Sequence, residues 1–149
     1  MSSSNILFSD DFTVTDVNAE GKKFEKVDRI IGRGLNLFGD LLIDVHNELF
    51  EVNKNDTIHI ALMSTTSADG RTSMPQEELE SRLRSYDYVM NGIVYKIKHL
   101  NNDNLEVHLS HGGLLARFSG KTTDLSHLDV DSQLYTLVRK KEEDSPDLM

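Results

Sequence analysis

Six histidines are the residues of this chain with the clearest capacity to bind a metal ion. His108 and His111 lie three positions apart, but on a β-strand that separation sends the two side chains to opposite faces. His46, His59 and His108 each occupy the polar phase of an alternating segment. The spacing therefore favours solvated histidines over a metal site.

Residues for covalent or acid/base catalysis are also poorly arranged in this sequence. The chain has no cysteine, which excludes disulfides, thiolate zinc sites and a cysteine nucleophile. The segment His111-Gly112-Gly113 is similar to the oxyanion loop of esterases, but no Gly-x-Ser-x-Gly segment supplies a nucleophile. Asp10 and Asp11 alternate across a strand, so they do not form an acid/base pair. We predict a protein without catalytic activity of its own and without a cofactor.

One basic segment runs against the net charge of −9. A basic strip beside an aromatic residue is typical of nonspecific binding to single-stranded nucleic acid. The candidate residues are Lys22, Lys23, Phe24, Lys26, Arg29 and Arg33. A solvated hairpin, or a patch that meets an acidic partner, explains the same pattern. The net acidity argues against duplex DNA or an anionic membrane as the main partner.

The elements that must position these residues are mainly strands. Apolar and polar residues alternate with period two through most of the chain, for example at 58–62 and 105–109, which predicts half-buried strands. Asn and Asp at 101–104 and the glycines at 112–113 are typical of turns. About eight short strands at roughly ten-residue spacing predict an all-β fold, an antiparallel β-barrel or a sandwich.

Residues 64–85 interrupt the alternation with a polar, Ser/Thr-rich stretch. Only Leu79 and Leu83 form an apolar stripe there, so any helix would be short and marginal. We predict one barrel domain over 1–141, in which 64–85 is a mobile loop insertion, and a disordered acidic tail over 142–149.

The segment that follows the insertion is apolar on both strand faces. One phase carries Tyr86, Tyr88 and Met90, and the opposite phase carries Ile93, Tyr95 and Ile97. Because a barrel interior can take only one of these faces, the other face predicts a docking surface for a partner. Leu114 and Leu115 are neighbouring apolar residues, so one of them also faces outward if this segment is a strand. Alternatively, an overlying loop such as the 64–85 insertion covers these outward residues within the chain itself.

The sequence contains two long motifs, YDYVMNGIVYK at 86–96 and SHGGLLARFSG at 110–120. Both resemble the small shared subunit of the eukaryotic nuclear RNA polymerases I, II and III, usually numbered eighth. The shorter segments LFSDDF at 7–12, DVHNELF at 44–50 and LYTLVR at 134–139 are similar to that family in order and spacing. The resemblance leaves out 64–85 and the acidic tail, so nothing is carried over to those two segments.

This resemblance implies an antiparallel β-barrel related to the OB fold. It also implies a non-catalytic nuclear subunit, present in the nucleolus too, that docks on the largest polymerase subunit. The magnesium-bearing active centre would lie elsewhere in the assembly, and any weak affinity for single strands would fall on 16–40. The docking candidates are Tyr86, Asp87, Tyr88, Met90, Gly92, Gly112, Gly113, Leu114, Leu115 and Arg117. The main alternative is a free-standing OB-like module that binds single-stranded nucleic acid.

Overall fold

The computed structural model describes residues 6–21, 24–37, 39–64 and 74–141, and most of them lie in β-strands. The strands are β1 (Ile6–Val17), β2 (Val27–Gly34), β3 (Asp40–His46), β4 (Thr57–Met63), β5 (Tyr88–Leu100), β6 (Asn104–His111), β7 (Leu114–Lys121) and β8 (Gln133–Lys141). Two short helices, α1 (Gln76–Arg84) and α2 (Thr122–Leu125), complete the described elements. The predicted all-β class is confirmed.

The strands form one closed barrel in the order β1-β2-β3-β7-β6-β5-β8-β4. Every neighbouring pair is antiparallel. Closure pairs each of these strands on both sides, so the described barrel presents no free strand edge. The predicted antiparallel barrel of eight strands is thereby confirmed, and its relation to the OB fold remains a prediction.

Alternate residues of all eight strands point inward and form the barrel core. At one position in this core, Phe8, Phe12 and Phe118 make a cluster of rings whose centroids lie 5.5 to 6.5 Å apart. Elsewhere Phe50 stacks on Tyr88 at 5.6 Å. Edge-to-face and offset aromatic contacts of this kind add to the stabilisation from burial. The barrel is therefore a filled core and not a ligand cavity.

A bulge in β5 corrects the interpretation of Tyr88 and Met90 as outward docking residues. The pairing of β5 with β6 shifts register between Val94 and Lys96, and such a bulge changes which residues point inward. Tyr88 and Met90 are only 8% and 7% exposed and belong to the core, and beyond the bulge Ile97 packs against it. Before the bulge the phase of Tyr88 and Met90 points into the barrel, and beyond the bulge the phase of Ile97 does.

Gly92 lies in the same inward stretch and is buried. A Cβ atom there would clash with the ring of His111 and approach the carbonyl oxygen of Ser110 to 2.9 Å. Glycine is required because β5 and β6 approach closely around the His111 ring. Gly92 is therefore not available on the surface as the docking residue that the sequence predicted.

Helix α1 covers the outer face of β4 and β8. Outward residues Ala61, Met63 and Leu137 are buried in a second apolar cluster, separate from the barrel core. The residues packed against this cluster are Ile6, Met74, Leu79, Leu83, Tyr86, Val89 and Tyr135. We call this region the covered face. Part of the predicted 64–85 loop is therefore helical, while its residues 65–73 lie outside the described part of the chain.

The predicted apolar stripe of Leu79 and Leu83 is confirmed by these contacts, and an ion pair between Arg82 and Glu78 at 3.4 Å spans one turn of α1. Neither described helix is long and apolar enough to cross a membrane.

Candidate docking face

The outer surface of β2, β3 and β7 carries apolar residues among charged ones, and neither described helix covers it. Its outward residues include Val27, Ile31 and Leu42, which are half-buried, and Leu115, which is 37% exposed. Across the strands Ile31 pairs with Leu42, and Leu42 pairs with Arg117. We call this surface the open face. It places apolar and charged side chains side by side where a partner can reach them.

A groove of about 340 Å³ runs between the open face and the loop that joins β1 to β2. The base of this loop is fixed by Asn18, which adopts a left-handed backbone with a φ of 54°. The backbone amide of Asn18 donates to the backbone carbonyl oxygen of Arg29 at 2.7 Å, and the backbone amide of Arg29 donates to Asn18 Oδ1 at 2.9 Å. At the rim of the groove Phe24 is 68% exposed.

An ion pair between Arg29 and Asp44 forms the polar floor of the groove. Arg29 Nε lies 2.7 Å from Asp44 Oδ1, and Nη2 lies 3.0 Å from Oδ2, which is the bidentate fork typical of strong arginine–carboxylate pairs. The hydrogen bond to Asp44 raises the pKa of Arg29, against the opposing effect of burial. Asp44 Oδ2 also accepts from the Leu115 amide at 3.1 Å. The pair joins three strands and uses the Nε and Nη2 donors of Arg29.

The basic strip does not form a free cationic surface within the described residues. Besides the Arg29 pair, Lys26 lies 3.7 Å from Glu48, and Arg33 lies 3.5 Å from Asp40. Phe24 is exposed, as nucleic-acid stacking would require, but the described basic residues that follow it are each paired with an acid. Lys22 and Lys23 lie outside the described residues. The geometry therefore does not favour the single-strand-binding alternative.

The predicted docking candidates do not lie together in one place. Leu115 and Arg117 are exposed on the open face. Gly112 and Gly113 form the exposed β6–β7 turn, with φ values of 65° and 104°, and lead into the half-buried Leu114. Glycine adopts such positive φ values at no steric cost. This second group is contiguous in the chain with the first.

Of the remaining candidates, Tyr86 lies on the covered face, Asp87 is exposed, and Tyr88, Met90 and Gly92 are buried in the inward stretch of β5. Tyr86 packs against the covered face, where its ring stacks on His59 at 6.2 Å and Arg139 lies over it at 5.5 Å. Asp87 is exposed and accepts from the Lys140 amide at 2.9 Å. The structure thus does not unite the YDYVMNGIVYK motif with the β7 candidates in a single outer surface.

Sequence reasoning missed Val27, Ile31, Leu42 and Asp44 as parts of this site. Asp44 lies in the polar phase of its strand, which predicts an exposed side chain. It is only 6% exposed, because the Arg29 guanidinium and the Leu115 backbone amide donate hydrogen bonds to its oxygens. The consecutive Leu41 and Leu42 were the available signal, since one of two neighbouring strand residues must face outward.

The histidines are paired more closely than solvated side chains would be. His59 Nδ1 lies 2.7 Å from Asp11 Oδ1, and His108 Nε2 lies 2.8 Å from Glu106 Oε1, both half-buried. Although burial opposes its charge, hydrogen bonds from Lys141 and His59 together keep the pKa of Asp11 below its ordinary value. The expectation of solvated rings is therefore wrong for His59 and His108. The described residues contain no group of three or more histidines and carboxylates that could hold a metal ion.

His111 is buried where β6 approaches β5 and β8. Its Nε2 lies 2.7 Å from the hydroxyl oxygen of Thr136, which is also buried. Burial lowers the pKa of His111 to about 4, so the ring is neutral at physiological pH. The His111-Gly112-Gly113 segment is thus a core histidine followed by a turn.

The fold and the open face together define a small closed β-barrel with an outer surface suited to protein docking. Residues 9–140 match the family model described as RNA polymerase Rpb8. The chain belongs to this family, which confirms the predicted resemblance to the eighth shared polymerase subunit.

Curated relatives match over nearly their whole length. A Caenorhabditis elegans protein named "Probable DNA-directed RNA polymerases I, II, and III subunit RPABC3" is 31% identical over 142 residues, covering 91% of this chain and 96% of the relative. The Arabidopsis thaliana protein "DNA-directed RNA polymerases II, IV and V subunit 8B" is 32% identical, with 94% and 99% covered. The Saccharomyces cerevisiae subunit RPABC3 of polymerases I, II and III is 32% identical, with 92% and 99% covered.

Proposed function

We propose that this chain is a shared subunit of the nuclear DNA-directed RNA polymerases I, II and III and has no catalytic activity of its own. Its membership of the Rpb8 family supports the polymerase assignment, as do relatives that carry the names of shared polymerase subunits. Such a subunit acts in transcription and resides in the nucleus, including the nucleolus where polymerase I works. Its direct partner is the largest polymerase subunit.

The main support for the way in which the barrel docks is the difference in burial between its two outer faces with apolar residues. The covered face is buried under α1 within the chain itself. The open face leaves Leu115 exposed beside the half-buried Leu42 and Ile31, with Arg117 next to them. Contiguous apolar surface with a polar surround is typical of protein interaction sites. The open face is therefore the surface through which the barrel docks.

The barrel presents this surface in a preformed state. Arg29, Asp44 and the Leu115 amide connect β2, β3 and β7 by hydrogen bonds, so the strands beneath the face are fixed before a partner arrives. Preorganisation lowers the entropy that is lost on association and so strengthens binding. A rigid subunit of this kind would support the shape of the larger chain against which it rests.

The test compares two leucines of equal exposure. Leu115 on the open face and Leu100 at the end of β5 are both 37% exposed. Each is replaced by aspartate in a tagged chain, and co-purified polymerase subunits are quantified by mass spectrometry. We expect Leu115→Asp to lose the largest subunit and Leu100→Asp to retain it, with unchanged circular dichroism for both variants.

Retention of the largest subunit by a folded Leu115→Asp variant would contradict docking through the open face. A wild-type chain that recovers no polymerase subunit would contradict the proposed function as a whole.

A further inference from the structure

We infer that the groove of the open face binds an extended protein segment that carries one large apolar side chain next to a carboxylate. The apolar side chain enters between Phe24 and the strands, and the carboxylate pairs with Arg117. This inference rests on the proposed function, because it assigns the segment to the polymerase partner.

The size and lining of the groove fit an apolar side chain. Its volume of about 340 Å³ is at the lower end of the roughly 300 to 1,000 Å³ that ligand-binding pockets span. It therefore accommodates one or two side chains and not a folded element. Val27, Ile31 and Leu42 form the apolar part of its lining, and the exposed ring of Phe24 forms a rim that would be covered on binding.

The charges around the groove are unequal on its two sides. The charge of Arg29 is matched by Asp44 at the floor, so this pair adds no net charge. On the β7 side Arg117 is exposed and belongs to a cross-strand row with His108 and Lys96. Glu106 contacts His108 and also interacts electrostatically with Arg117. With Lys96, the described residues around this row still carry more positive than negative charge. Complementarity thus calls for a carboxylate of the segment on the β7 side.

Among the described residues that line the opposite rim of the groove, Glu20 is the one that carries a charge, and this charge is negative. Glu20 lies in the β1–β2 loop at this rim and is exposed. A continuous polyanion across the groove would meet Glu20 as well as Arg117, whereas a peptide can place one carboxylate on the β7 side alone. The mixed charges therefore favour an acidic protein segment over a nucleic-acid strand.

Charge reversal tests the role of Arg117. Tagged chains with Arg117→Glu or Arg117→Lys are compared with Lys121→Glu, which reverses an exposed charge at the far end of the same strand. We expect Arg117→Glu to lower recovery of the largest polymerase subunit by about tenfold at physiological salt, since like charges would then face each other across the interface. Arg117→Lys should retain most of the recovery, and Lys121→Glu should equal the wild type.

The outcomes separate the two proposals. Loss of the largest subunit with Leu115→Asp but not with Arg117→Glu would overturn this inference and leave the proposed function standing. Equal losses with Arg117→Glu and Lys121→Glu would also overturn it, because the effect would then be one of net charge.

Photo-crosslinking identifies the occupant directly. The photoreactive residue p-benzoylphenylalanine is placed at Phe24, with Leu100 as the control position, and the crosslinked peptides are sequenced. We expect crosslinks from position 24 to a polymerase segment with a large apolar residue and an Asp or Glu within a few positions. Crosslinks to nucleic acid, or none although polymerase is recovered, would overturn the inference.

Discussion

The covered face and the open face are similar in construction but differ in how far they are buried within the chain. Both are outer surfaces of neighbouring strands at which apolar residues break the expected polar phase, as at Met63 and Leu137 on one side and Ile31 and Leu42 on the other. The covered face is buried by α1, whereas among the described residues the open face has the β1–β2 loop at its edge and no helix over it. Apolar alternation alone therefore does not distinguish a surface that is buried within the chain from one that stays partly exposed.

The difference lies in the groups that surround each face. On the covered face the cluster is closed by aromatic and aliphatic contacts of the same chain, including Leu79 and Leu83. On the open face the ion pair of Arg29 and Asp44 occupies the floor, and Arg117 remains exposed. At the covered face the charge of Arg139 lies over the Tyr86 ring of the same chain, whereas no ring contact of this kind is described for Arg117 on the open face. If the open face docks as proposed, such charges would help to select the partner.

The largest expected contrast between the faces comes from removing one leucine from each. Leu137 is 1% exposed on the covered face, so Leu137→Ala should lower the free energy of unfolding by about 2 to 5 kcal/mol. Leu115→Ala on the open face should change it by about 0.5 kcal/mol or less. Urea unfolding monitored by circular dichroism measures both. Similar losses for the two variants would break the distinction between the faces.

Acid should weaken the barrel beneath both faces alike. Burial lowers the pKa of His111 to about 4 from an ordinary value of 6.5. Between these values the unfolded chain binds a proton that the folded chain excludes, so stability falls as the pH falls from 6.5 towards 4. The full loss is about 3 kcal/mol, at 1.36 kcal/mol for each pH unit of pKa difference. Urea unfolding at several pH values measures this loss.

The control for this titration is His111→Gln, which removes the ionisable ring. The variant should show a flatter dependence between pH 6.5 and 5, above the range in which Asp11 and Glu106 take up protons. An unchanged slope in His111→Gln would assign the acid sensitivity to other groups.

The smallest expected effect is the partial release of α1 from the covered face. Leu83 is half-buried against this face, so Leu83→Ser should cost about 1 kcal/mol. Amide hydrogens of α1 should then exchange faster, while those of β2 and β3 keep their protection. The exposed Glu80→Ser on the same helix is the control. Equal loss of protection in α1 and in the open face would show that the two faces are not independent.

Much of the fold could be predicted because period-two alternation reports directly on strands. The turns at 101–104 and 112–113, and the apolar stripe of Leu79 and Leu83, were also readable from local residue types. The β5 bulge was not, because nothing in the sequence around Val94 marks an extra residue before the pairing with β6 is known. That single residue reversed the assignment of Tyr88 and Met90.

The candidate site was predicted only in part for a related reason. Leu115 and Arg117 were found through the motif in which they lie, but their neighbours on the open face come from β2 and β3, far away in the sequence. Local pattern could not reveal that Asp44 is buried, because its partner Arg29 is 15 residues away. Cross-strand register, and not local pattern, brings these groups together.

The position of β8 has a consequence for how the chain reaches its native state during synthesis. This strand is last in the sequence, yet it lies between β4 and β5 in the barrel. Before Gln133–Lys141 leave the ribosome, the preceding strands can form only an open sheet, with β4 and β5 as unpaired edges. Such a sheet exposes its apolar inner side and lacks Leu137, on which the covered face closes. Chains at this stage therefore combine exposed apolar surface with unpaired strand edges, the two features that favour aggregation during folding, and the pairing of β8 removes both.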